Sequence, residues 1–163
     1  MEIKIRHAEK KDIASIKAIY EQPHAIKGTL QLSYLSVAQW ESRFEKWGDN
    51  MQNLIAVVDE KVVGQLGLHF FIGHRRKHVA SFGMAVCSSV LAQGVGKAML
   101  NAAIDTCNNW LNISRIELQV FVDNEAAIAL YKSCGFEIEG TNKKFAFKAG
   151  GFVDAYSMAR LRC

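Results

Sequence analysis

Two glycines one residue apart, Gly94 and Gly96, stand between a stretch of strand character and a long helical pattern, in the run Gln93-Gly94-Val95-Gly96-Lys97. A glycine turn at such a junction exposes backbone N–H groups at the positive end of a helix dipole, which is a seat for a phosphate or a diphosphate. The same residues also suit a loosened helix start of purely structural meaning, so the surroundings decide. A dinucleotide fingerprint needs a third glycine where Met99 stands and an acidic residue about twenty positions on, where Ser114 and Arg115 occur. A P-loop needs Ser or Thr after Lys97, and Ala98 is there. Both nucleotide readings fall. The segment His74-Arg75-Arg76-Lys77-His78 is either a cationic clamp for a carboxylate or phosphate or a solvated loop. Its two histidines have no carboxylate or cysteine companion, so no metal is expected. Cys87, Cys107, Cys134 and Cys163 form neither a CxxC pair nor a disulfide framework and read as reduced, mostly packed thiols.

The elements that must position the glycine turn follow from pattern. The chain has 163 residues, half of them hydrophobic and 22% charged, which is enough for one core and excludes a disordered segment. Twenty basic against sixteen acidic residues give +4, spread along the sequence, so no nucleic-acid partner is expected. No window approaches a membrane span, the charged amino end does not resemble a signal peptide, and a soluble cytoplasmic protein is expected. Ile3 and Ile5 mark a strand; Ile13, Ile16, Ile19 and Tyr20 mark a helix stopped at Pro23, followed by irregular chain over 24–35. Ser36 and Gln39 form a capping box before a helix faced by Val37, Trp40, Phe44 and Trp47. Residues 54–58, 62–72 and 79–87 read as an antiparallel meander. After the glycine turn, Val95, Met99, Ala102, Ala103, Thr106 and Trp110 line one side of a helix. Then come a strand over 115–122, an Asn124 N-cap, a helix over 125–134, Gly135 at the αL C-cap, and a hairpin closed by Gly150-Gly151.

The segment Asn124-Glu125-Ala126-Ala127-Ile128-Ala129-Leu130-Tyr131-Lys132-Ser133-Cys134-Gly135-Phe136 resembles the Gcn5-related N-acetyltransferase (GNAT) family. In that family the glycine turn binds the diphosphate of acetyl-CoA and an N-x-x-A-x-x-L-Y-x-x-x-G-F segment follows, matched here at Asn124, Ala127, Leu130, Tyr131, Gly135 and Phe136. The likeness runs from the Asp12-containing first helix to the closing hairpin. Phe136-Glu137-Ile138-Glu139-Gly140 and Val153-Asp154-Ala155-Tyr156 are most similar to the YhhY-type L-amino acid N-acetyltransferases. The resemblance implies one α/β domain over residues 1–163, with a mixed, mostly antiparallel sheet of about seven strands, a splay between strands 4 and 5, and about four flanking helices.

It also implies a mechanism. Acetyl-CoA, the co-substrate, lies between the strands ending near Val86 and Val122, contacted by Ala85, Val86, Gln93, Gly94, Val95, Gly96, Lys97, Asn124 and Phe136. A substrate amine attacks the thioester, a backbone N–H of Ala85 or Val86 stabilises the oxyanion, and Tyr131 protonates the departing thiolate. Without the flanking motif, Tyr131 would read as a helix tyrosine packed on the core. Two departures stand out: Leu91 replaces the family's usual Arg or Gln before the glycines, and residues 79–87 carry no carboxylate, while the other familiar acidic position holds Gln119. Glu117 and His78 are the remaining candidates for the base, although a solvated strand residue and an exposed basic turn are their plainer readings. An α-amine near pKa ~8 is about one-tenth neutral at pH 7, whereas a lysine amine near ~10.4 must first lose its proton at larger cost; the amine of a free amino acid lies between these cases, so the lack of an obvious strong base leans toward α-amines over lysine side chains. Leu30, Leu32, Tyr34, Trp40, Phe145, Phe147 and Phe152 mark either the acceptor region or core. The expected acceptor is a free L-amino acid and the expected assembly a homodimer; a protein N-terminal acetyltransferase and a non-catalytic acyl-CoA-binding module are the alternatives.

Overall fold

Alternating apolar residues pair into one seven-stranded sheet in a computed structural model that describes residues 1–163. The strands are β1 (Lys4–His7), β2 (Met51–Val58), β3 (Lys61–Phe70), β4 (Val79–Val86), β5 (Arg115–Phe121), β6 (Glu137–Lys148) and β7 (Gly151–Leu161), in spatial order β1-β2-β3-β4-β5-β7-β6. Every neighbouring pair is antiparallel except β4 and β5. Asp59 and Glu60 both take positive φ (47° and 62°) in the two-residue link between β2 and β3, matching the strand twist. The meander, the mixed and mostly antiparallel sheet of seven strands and the closing hairpin agree with the sequence reading.

Five α-helices cover the sheet: α1 (Ile13–Tyr20), α2 (Pro23–Gly28), α3 (Val37–Glu45), α4 (Val95–Asp105) and α5 (Glu125–Ser133). On one face, Val95, Met99, Leu100 and Ala103 of α4 pack with Leu66, Leu68, Ile116, Leu118 and Met158. On the other, Ile13, Ile16, Ile19 and Tyr20 of α1 and Trp40 of α3 pack on Ile55 and Ala85. The expected capping box is formed, Ser36 Oγ accepting from Gln39 N–H at 3.1 Å and Gln39 Oε1 from Ser36 N–H at 2.8 Å.

Two local expectations are corrected. Residues 24–35 are not wholly irregular, because Pro23, which cannot extend α1, is the first residue of α2, where its missing N–H costs nothing. Trp110 is 78% exposed rather than part of the α4 face. The chain widens into a π-turn over Thr106–Trp110, which rotates the phase and buries Cys107 instead.

Asp12 fastens the start of α1 to the sheet. Its carboxylate accepts from Arg6 Nη1 and Nη2 of β1 at 2.8 and 2.9 Å and from the Glu9 N–H at 2.8 Å, and it is only 4% exposed. Asp12→Ala strands those donors and lowers stability by about 1–3 kcal/mol, read as a lower urea midpoint at pH 7. The Arg6 hydrogen bonds hold the Asp12 carboxyl below the usual aspartate range. A depressed folded pKa gives stability that is complete above the unfolded value and lost as pH falls through the folded one, so the difference between Asp12→Ala and the parent shrinks as the pH is lowered through that acidic range.

Candidate active site

The parallel pair β4 and β5 is joined at only three positions, Val79–Arg115, Ala80–Ile116 and Ser81–Glu117, and beyond Ser81 the two strands diverge. The ladder phase decides which peptide groups face the gap. Cys87 N–H donates to Val63 O at 2.7 Å and Ala85 is in register with Gln65, so the peptide groups of Gly83 and Ala85 belong to the β3 side, and those of Met84 and Val86 face the gap. On β5, Val122 N–H donates to Asp154 O, which turns Leu118 and Val120 toward β7 and leaves Gln119 on the gap side. Of the two expected backbone donors, Val86 therefore has the right phase and Ala85 does not. His24 of α2, overlooked in the sequence, donates from Nε2 to the Val86 carbonyl at 2.7 Å.

At the end of β4 the chain passes through a 3₁₀ turn and two left-handed residues, Ala92 (φ 60°) and Gly94 (φ 88°), before α4 begins. The first intrahelical bond is Ala98 N–H to Gly94 O at 3.0 Å, so the N–H groups of Val95, Gly96 and Lys97 precede it and have no helical partner. The two glycines do different work. A Cβ on Gly94 would meet no atom within 4 Å, so its requirement is the positive φ. A Cβ on Gly96 would come to 3.1 Å from Met84 Cε and 3.2 Å from Leu130 Cδ2, so its requirement is the close approach of α4 to β4 and α5. Gln93 sends its side chain to Ser89 O at 3.4 Å instead.

Gap and helix start open on one cavity of about 1520 Å³. Ala85, Val86, Gly94, Val95, Gly96, Lys97, Asn124 and Tyr131 lie on its wall, whereas Gln93 and Phe136 do not. Asn124 caps α5, its Oδ1 accepting from Ala127 N–H at 3.3 Å. Phe136 is 2% exposed and holds the Tyr131 ring from behind, centroids 6.0 Å apart, with Phe82 meeting that ring edge-on at 5.7 Å. Burial pushes the Tyr131 phenol up to about 12.

The cavity passes through the sheet. Phe82 and Tyr131 belong to the α4 face, while Ser81, Gly83 and Ala85 alternate onto the α1 face, where Tyr20, Trp40 and Gln65 join the wall. Tyr20 donates its hydroxyl to Gln65 Oε1, and Gln65 Nε2 donates to Asn53 Oδ1 at 2.5 Å. Burial raises the Tyr20 pKa, and the Tyr131 phenol across the cavity adds to it. Neither Tyr20 nor Gln65 was identified from sequence as part of a site. The available signal was Gln65 itself, a polar residue within an apolar strand.

Glu117 lies on the wall, but Arg76 Nη2 reaches it at 3.2 Å and Arg115 Nε at 2.9 Å, and Arg115 also grips Glu139. The other wall carboxylates are likewise paired, Glu139 with Arg115 and Asp123 with Lys148 at 2.9 Å. His78 lies off the cavity, in a shallow depression with His74, Lys77, Leu111 and Asn112. Of the expected acceptor region, Leu30, Trp40 and Phe145 reach the cavity; Leu32, Tyr34, Phe147 and Phe152 do not and are 75%, 97%, 65% and 65% exposed, so they are not core either.

The model of the Acetyltransferase (GNAT) family matches residues 16–136. The chain belongs to the GNAT family. It is an N-acetyltransferase, and the family's acyl donor is acetyl-CoA. This GNAT chain is 45% identical over 161 residues, 99% of each sequence, to the L-amino acid N-acetyltransferase AaaT of Escherichia coli, in keeping with the YhhY-type resemblance. An acetyltransferase of the GNAT family from Streptococcus pneumoniae superposes with TM-score 0.83 at 27% identity, over 99% of this chain and 100% of that one. The fold is shared too with spermidine N-acetyltransferase from Vibrio cholerae in complex with CoA and spermine, at TM-score 0.87 and 24% identity over 98% and 95% of the two chains. No helix is long and apolar enough to cross a membrane.

Proposed function

We propose that this GNAT enzyme, working as one domain, transfers the acetyl group of acetyl-CoA to the α-amine of a free L-amino acid by direct attack. The observation that carries the reading is the single cavity that joins the N–H groups at the start of α4, the gap between β4 and β5, and the Tyr131 phenol. The residues present suit the donor. Val95, Gly96 and Lys97 offer N–H groups at a helix N-terminus to a diphosphate, and the peptide groups of Met84 and Gln119 and the N–H of Val86 face the gap, where they can pair with the amides of a pantetheine arm. Leu91 adds no side-chain donor, so backbone supplies this seat. The N–H of Met84 or Val86, rather than that of Ala85, faces the oxyanion that develops on the thioester carbonyl.

Tyr131 meets the leaving sulfur from the α4 face while the amine enters from the α1 face, where Tyr20 can accept an amine N–H because its own proton is committed to Gln65. Every carboxylate on the wall is paired with a cation, and His78 lies outside, so no carboxylate stands ready as a strong base. Glu117, held by two guanidinium groups, acts at most through water. The amine of a free amino acid lies between a peptide α-amine near pKa ~8 and a lysine amine near ~10.4, so it gives up its proton at pH 7 at less cost than a lysine side chain, and this is the chemical ground for preferring it to one. AaaT of Escherichia coli, named for L-amino acids, points to the same acceptor class.

A thiol-release assay with acetyl-CoA against L-amino acids, polyamines and short peptides tests the reading. Turnover is expected with free amino acids. Turnover confined to peptides would favour N-terminal acetylation of proteins, and thermal stabilisation by acetyl-CoA without thiol release from any amine would favour a non-catalytic binding module.

A further inference from the structure

Gly67 of β3 and Gly83 of β4 are direct cross-strand partners near the middle of the sheet. Glycine weakens a strand interior, because its backbone is more costly to order and it has no side chain to pack, and two of them face to face make a bare spot. Neither residue has a positive φ. The surrounding protein does not demand the absence of side chains. A Cβ on Gly83 would meet nothing within 4 Å, and one on Gly67 would touch only Gln65 Nε2 at 3.5 Å and Met51 Cε at 4.0 Å, ordinary contact distances. Gly64, on the opposite face, is the contrast, since its Cβ would fall 2.7 Å from Met99 Cε.

The bare spot also lies in a telling place. Both residues line the cavity. Gly83 is the second residue after Ser81, where β4 parts from β5, and its open side lies on the α1 face together with Gln65 and Ala85. Tyr20, Trp40 and Phe71 stand around the same cavity, while Tyr131 works from the opposite face. An acceptor that delivers its amine to the gap from the α1 face must rest its body against this backbone.

We propose that the Gly67–Gly83 pair is the floor of the acceptor pocket, left without side chains to admit the acceptor's own side chain, and that it sets the largest acceptor the enzyme accepts. The inference deepens the acceptor assignment above and rests on it. Gly83→Val and Gly67→Ala refill the floor with residues whose Cβ the strands accommodate, and neither position touches the diphosphate seat or Tyr131. Steady-state kcat/KM is measured for both variants and the parent over glycine, alanine, leucine and tryptophan, with acetyl-CoA Kd and melting temperature alongside. The expected result for Gly83→Val is a loss of at least 30-fold with leucine and tryptophan and of less than threefold with glycine and alanine, at unchanged acetyl-CoA Kd; Gly67→Ala shows the same order with smaller ratios. Equal losses across the series in a folded, acetyl-CoA-binding variant, or no loss at all, overturn the floor. Should the parent ignore amino acids but acetylate another amine class, the acceptor assignment fails on the parent's own profile. The variant-to-parent ratios over a size series of that other class then decide the floor in the same way. A parent inactive on every amine overturns both.

Discussion

Tyr131→Phe lowers kcat about 10²-fold or more while leaving the acetyl-CoA Kd within twofold, the loss being the size typical of a removed acid–base group. The substitution is well isolated. The ring keeps its edge contacts with Phe82 and Phe136, and only the hydroxyl goes. With its pKa pushed up to about 12 by burial, the phenol stays protonated through the whole working range of pH. Against a thiolate of ordinary basicity, full proton transfer from such a phenol is uphill. The early service of Tyr131 is therefore a hydrogen bond to sulfur as charge develops, and the same apolar surroundings raise the basicity of the thiolate and narrow that difference. The kcat–pH profile of the parent should rise with deprotonation of the amine and show no alkaline fall from Tyr131 below about pH 11. Tyr131→Phe should keep that shape at a lower level. Parental kcat in the variant, measured by thiol release at saturating substrates, removes Tyr131 from the mechanism.

Gly94→Asp weakens acetyl-CoA binding at least tenfold relative to Gly94→Asn. Both side chains tolerate the left-handed backbone that Gly94 adopts (φ 88°), both have open space for their Cβ, and both are good helix N-caps, so the pair differs chiefly in one negative charge beside the N–H groups of Val95, Gly96 and Lys97. That charge stabilises the helix start and repels a diphosphate. Melting temperature and ligand affinity should therefore move in opposite directions, Gly94→Asp being at least as heat-stable as Gly94→Asn while binding acetyl-CoA less well. The affinity difference should shrink in high salt, since the site opens to solvent. Equal affinities of the two variants, by isothermal titration, would place the diphosphate elsewhere.

The parts of this protein that were legible in its sequence are those fixed by neighbours along the chain. The capping box at Ser36 and Gln39, the αL glycine at 135, the Asn124 cap and the order of strands and helices each depend on a few consecutive residues, and each forms as its pattern indicated. Pro23 shows the limit of that reasoning, because one ring ends a helix and begins the next, and only packing of α2 against α1 shows the second half.

What the tertiary structure alone decided depends on partners far apart in sequence. Whether the N–H of Ala85 or of Val86 faces the gap is set by pairing with Val63 and Gln65, twenty or more residues earlier, and strand periodicity carries no information about ladder phase. Glu117 reads as a free carboxylate until Arg76, 41 residues away, and Arg115 close around it. Tyr20 and Gln65 read as a helix tyrosine and an odd strand residue until the sheet brings them to one cavity, and Gly67 becomes half of a bare floor only when the register sets it beside Gly83. The local chain thus determines which backbone conformations and caps are available. The closing of the sheet determines which polar groups are neutralised, which are left facing the cavity, and so where the chemistry takes place.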